Sequence, residues 1–126
     1  MESFNTLIQF SVVYTAKSNN PTILNPDFLK FNEIVEKGWE LKSPPICTEP
    51  FARVQFKNDV MITSQLDKII FNIDKNPLEY EDRKIIHDIA IKYLNLVPLV
   101  NYNSIGINAN LLICTPDGTE PPKYLI

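Results

Sequence analysis

The chain has 126 residues, is 44% hydrophobic and 10% aromatic, and carries a formal net charge of −3. That length is one domain, with enough apolar side chain for its own core, so neither a metal nor a disulfide framework is needed to hold it. The acidic balance argues against nucleic acid as a partner, because phosphate binding draws on a basic footprint.

Residues 6–16 alternate in polarity. Ile8, Phe10, Val12 and Tyr14 share one face, and Gln9, Ser11 and Thr15 the other, with Leu7 and Val13 among them. This is a long strand, central or partly covered on both faces. Asn25-Pro26-Asp27 is a helix start, because Asn caps the orphan amides, Pro fits the first helical position and Asp suits the positive end of the dipole. Phe28, Leu29 and Phe31 load the short helix that follows. That helix has about two turns; Gly38 ends the region, Trp39 and Leu41 lead back to the core, and Ser43-Pro44-Pro45 is extended.

Residues 51–74 then alternate through three short runs. Ala52, Val54 and Phe56 oppose Arg53, Gln55 and Lys57. Val60, Ile62 and Ser64 oppose Met61, Thr63 and Gln65. Ile69, Phe71 and Ile73 oppose Ile70, Asn72 and Asp74. Two-residue links at Asn58-Asp59 and Leu66-Asp67 make this a meander with one dry face and one wet face.

Asn76-Pro77-Leu78-Glu79 repeats the capping logic, with Asn76 as cap and Glu79 as the capping-box acid. The helix predicted from there runs to about Leu96. Ile85, Ile86, Ile89, Ala90, Tyr93, Leu96 and Val97 fall in one arc, while Ile91 and Leu94 form an apolar fringe. Residues 104–114 are the last strand, with Ile105, Ile107, Ala109, Leu111 and Ile113 facing in. Gly106, Asn108 and Asn110 face out.

The order β-α-β-β-β-α-β predicts an α+β fold in which a sheet of about five strands, antiparallel or mixed, carries one long helix on one face. Lys123-Tyr124-Leu125-Ile126 looks like the start of another helix. Three readings of that end stay open: a fragment of a longer domain, a tail that docks on a partner, and a tail packed on its own core.

Asn20-Pro21-Thr22-Ile23-Leu24-Asn25-Pro26-Asp27-Phe28-Leu29, Pro44-Pro45-Ile46-Cys47 and Tyr102-Asn103-Ser104-Ile105-Gly106-Ile107-Asn108 together resemble a group of small bacterial proteins of unknown function, several of them cyanobacterial. The resemblance brings no activity, cofactor or catalytic residue. It implies a domain that continues past residue 126.

Glu2 stands where a signal peptide would carry a base, and Gln9 and Ser11 interrupt the apolar run at 7–14. The expectation is a cytoplasmic chain that neither spans nor binds a membrane. Cys47 and Cys114 are too few for a secreted disulfide scaffold; two isolated buried thiols are expected ahead of the alternative, one bridge between them.

No motif specifies a reaction. His87 is the only histidine, and no acid stands three or four residues away to orient it, with Asp88 pointing elsewhere. One His and two distant Cys give no metal-ligand spacing. Gly38, Gly106 and Gly118 are isolated, so no phosphate cradle can be written and no cofactor is implied. The acids Glu79, Glu81, Asp82 and Asp88 read as cap, dipole partners and solvated face.

The first functional expectation is therefore a non-enzymatic interaction or structural module that binds a protein or its own copy, as a dimer in the plainest version. Its candidate surface is the polar sheet face, Arg53, Gln55 and Lys57 broken by Met61 and Ile70, or a sheet edge, or the Ile91 and Leu94 fringe. The alternative is a small-ligand or enzyme domain with a pocket between residues 44–50 and the sheet, lined by Trp39, Tyr14, Cys47 and Arg53.

Overall fold

The computed structural model describes residues 4–17, 19–75, 77–97, 102–114 and 123–125. In chain order the elements are β1 (Phe4–Ala16), a 3-10 turn (Pro21–Ile23), α1 (Pro26–Phe31), β2 (Ile46–Cys47), β3 (Phe51–Gln55) and β4 (Val60–Gln65). They continue with β5 (Lys68–Asp74), α2 (Tyr80–Leu96), β6 (Tyr102–Cys114) and β7 (Lys123–Leu125). The strands form one antiparallel sheet in the order β2-β3-β4-β5-β1-β6-β7. The α+β class holds, with the long helix packed on one face.

The three alternating runs form the expected meander. Ala52, Val54, Val60, Ile62, Ile69 and Phe71 are all fully buried on the inner face. The second link is the two-residue turn at Leu66-Asp67, since Ser64 pairs with Ile69. The first link is longer than the sequence suggests. Gln55 pairs with Met61, so Lys57-Asn58-Asp59 all lie in the loop. The Phe56 amide donates to the Val60 carbonyl at 2.9 Å, and Asp59 takes φ of 73°. Asp tolerates the left-handed region well enough to close this turn without glycine.

Asn25 caps α1 as read, its Oδ1 accepting from the Phe28 amide at 2.8 Å. Leu29 is fully buried, but Phe31, at the helix end, is 84% exposed. The cap of α2 falls at Glu79, three residues later than the Asn-Pro signal suggests, and Asn76 lies outside the described residues. Asp82 is the reason: its Oδ2 accepts from the Glu79 amide at 2.8 Å, while its Oδ1 meets Lys75 Nζ at 3.3 Å.

Ile86, Ile89, Ala90 and Tyr93 carry the buried stripe of α2, and Leu96 points outward, 41% exposed. Each large apolar side chain so buried contributes about 1.5–3 kcal/mol. Edge-to-face ring contacts run Tyr14–Phe71–Tyr93–Phe28, at 5.7, 5.5 and 6.3 Å between centroids. They tie β1, β5, α2 and α1 into one core.

The two short edge strands are additions to the expected five. Residues 123–125 form β7, paired with Leu111–Ile113, where the sequence suggests the start of a helix. The edge of β6 at Leu111–Ile113 offers these residues a ladder of backbone hydrogen bonds, a tertiary partner that local propensity does not encode.

Candidate interaction surface

Helices and loops cover the inner face of the sheet unevenly. Leu24, Leu29, Ile34 and Val35 share the core with the β3–β4 side, and Trp39 stacks edge-on against Phe56 at 5.4 Å. α2 packs on β5 and β1. β6 continues that face, because Val12 pairs with Ile107 and Tyr14 with Ile105. Yet Ile105 is 58% and Ile107 63% exposed. The result is an apolar groove of about 260 Å³ between α2 and β6. Ile91 and Leu94 form its helix wall, Ile105 and Ile107 its strand wall, and Val12 and Tyr14 its floor. His87 stands at its rim.

The structure thus brings together two of the residues read as candidates, Ile91 and Leu94, and adds Ile105 and Ile107. The sequence marked these two isoleucines as core. Their alternation is correct for the inner face, but alternation records which face a residue occupies, not whether another layer reaches it.

All of the remaining candidates except Lys57 lie on the opposite sheet face. Arg53, Gln55, Met61 and Ile70 are each half-buried. Register aligns Gln55, Met61, Asn72, Ser11 and Asn108 in one row, and Arg53, Thr63, Ile70, Val13 and Gly106 in the next. Thr63, Asn72 and Ser11 are buried within these rows by their neighbours. Arg53 Nε donates to Thr63 Oγ1 at 3.3 Å, and its guanidinium lies over the Phe51 ring at 5.0 Å. Lys57 is not part of this face. It sits in the turn and pairs with Glu40 at 2.9 Å, and that contact holds the Glu40 carboxyl below the usual range.

A second concavity, of about 500 Å³, opens between the loop after α1 and α2. Lys30, Glu33, Lys37, Trp39, Asp88 and Lys92 are among its lining residues. The mixed signs select neither an anion nor a cation. The pocket expected beside residues 44–50 does not assemble: Tyr14 is buried on the inner face, Arg53 lies on the outer face, and Cys47 is exposed at the β2 edge. Cys47 is therefore not the buried thiol the sequence suggests: it is exposed on the edge strand, its Sγ 3.5 Å from the Thr22 carbonyl oxygen; the Cys114 side chain lies outside the described residues.

His87 is exposed, and the adjacent Asp88 reaches it after all, with Oδ1 3.7 Å from Nδ1. Among the described residues, no three His, Cys, Asp or Glu side chains gather as a metal site, and no helix is long and apolar enough to cross a membrane. Comparison with protein-family models, with curated proteins and with solved structures finds no match to this chain.

Proposed function

We propose that this protein is a non-enzymatic interaction module that docks a protein along the groove between α2 and β6. One observation carries the reading: Ile105 and Ile107 continue the core face of the sheet and remain more than half exposed. Four aliphatic side chains around one groove give a contact that a partner can dry, and burying each is worth about 1–3 kcal/mol. The half-polar opposite face, with Arg53 and Gln55 around Met61 and Ile70, is the weaker candidate because its apolar members are already half-buried by their neighbours.

The test is capture from source-cell extract on immobilised wild type and Ile107→Asp. Proteins should be retained by the wild type and lost from the variant, with both baits folded. Equal retention by the two baits contradicts it.

A second reading, a small-ligand domain, is supported by the 500 Å³ cleft beside Trp39. It moves the expected pocket from residues 44–50 to the space between the loop after α1 and α2. Quenching of Trp39 fluorescence and ligand-dependent melting in a metabolite screen would favour it over docking.

A further inference from the structure

The edge of β6 gives the interaction reading a definite partner. β7 pairs only with Leu111–Ile113. Among the described residues, the outer edge of β6 is therefore open from Tyr102 to Asn110. Gly106 is the midpoint of that stretch. We propose that a second copy of this chain pairs there, β6 to β6 and antiparallel, about a two-fold axis at Gly106. This rests on the interaction reading and specifies its occupant.

The open stretch reads Tyr-Asn-Ser-Ile-Gly-Ile-Asn-Ala-Asn. It holds no charge and no proline, the devices by which edge strands avoid pairing. The other sheet edge is guarded: β2 has two residues, and Pro44, Pro45 and Pro50 flank it. A pairing over the whole open stretch is about 30 Å long. A slip of register shortens it or drives one end into β7, so the open length itself selects the axis.

The axis also settles the exposed isoleucines. It sets Ile105 opposite the partner's Ile107, and Ile107 opposite the partner's Ile105. The four meet on the helix face between the two α2 helices, where each groove supplies Ile91 and Leu94. On the other face, Ser104 meets the partner's Asn108 without charge conflict. Gly106 fits the same picture. A Cβ built there would meet nothing within 4 Å, so packing within one copy does not require glycine, which weakens a strand interior. At the axis it removes the one side chain that would meet its own copy. Such a contact uses the same patch twice and closes as a dimer.

Sedimentation equilibrium of the full chain tests this through a charge pair. Ser104→Lys with Asn108→Lys sets like charges opposite each other across the axis. Ser104→Lys with Asn108→Glu sets opposite charges there. We expect a wild-type dimer, dissociation about 10-fold easier in the first variant, and recovery to within about 3-fold of wild type in the second. A monomeric wild type at every concentration, or equal weakening in both variants, overturns the proposal. Oxidative trapping of Gly106→Cys in a Cys47→Ser background gives a second reading should the charged variants fold poorly. A covalent dimer absent from Cys47→Ser alone supports the axis, and no covalent dimer overturns it. Neither failure touches the Ile107→Asp capture result, so the broader interaction reading stands or falls separately.

Discussion

Val12 and Ile107 face each other across the β1–β6 ladder, and only one of them is covered. Val12 is 4% exposed beneath α2, whereas Ile107 is 63% exposed. The same face of the sheet is core at one strand and surface at the next. Val12→Ala should therefore cost about 1–3 kcal/mol of stability through lost burial and an unfilled cavity. Ile107→Asp should change monomer stability by no more than about 0.5 kcal/mol. Urea denaturation at low protein concentration measures both.

Glu33 follows α1 with φ of 57°. It holds the left-handed position that closes the helix, where the Ile34 amide returns to the Leu29 carbonyl at 2.9 Å. Glycine is the usual residue there, and a side chain with a Cβ carries strain of about 1–2 kcal/mol. Glu33→Gly should stabilise the fold by about 0.5–1 kcal/mol after the added freedom of the unfolded chain is subtracted. The melting midpoint should rise by a few degrees, read by circular dichroism. Asp59→Gly should gain less, because Asp tolerates this conformation better than Glu.

Asn19 fastens the loop after β1 to the β4–β5 hairpin. Its Nδ2 lies 2.7 Å from Ser64 Oγ, 2.6 Å from the Gln65 carbonyl and 3.2 Å from the Lys68 carbonyl. Its own amide donates to the Leu66 carbonyl at 3.0 Å. Asn19→Ala leaves buried acceptors unmet and should cost about 1–3 kcal/mol. Asn19→Asp should be worse than Ala, since it turns a carboxylate towards the same acceptors. Equilibrium unfolding of the two variants separates these outcomes.

Burial beneath α2 raises the Tyr14 phenol above its ordinary value of about 10. The unfolded chain releases the proton at the ordinary value, and the folded chain holds it higher. The stability linked to Tyr14 is thus fully present below pH of about 10 and is lost as pH rises through the folded value. Alkaline unfolding followed by circular dichroism should begin in that window. Phenolate absorbance compared between wild type and Tyr14→Phe should show that the titration lost with Tyr14 lies above pH of about 10.

Most of the architecture was legible in the residues. The alternation of 51–74 and the apolar arc from Ile85 to Tyr93 predict the meander, its dry face and the helix upon it. Side-chain period reports face and element type directly. The misses share a physical cause. Asp82 displaces the α2 cap from Asn76 to Glu79 through a hydrogen bond that spacing alone allows but does not select. Residues 46–47 and 123–125 pair only because an edge is available, and that is a tertiary fact. Ile105 and Ile107 carry the pattern of core residues. Whether a layer covers them depends on how far α2 reaches across the sheet, which no local signal in β6 encodes.

A second copy on the open edge of β6 would turn its outward-pointing amides into ladder donors. Hydrogen–deuterium exchange of the amides from Ser104 to Asn108, followed across protein concentration, tests this pairing most directly. The outward-pointing amides should exchange at least about 10-fold more slowly at high concentration than at high dilution, as an open edge becomes a ladder. Exchange that stays fast at every concentration would contradict it.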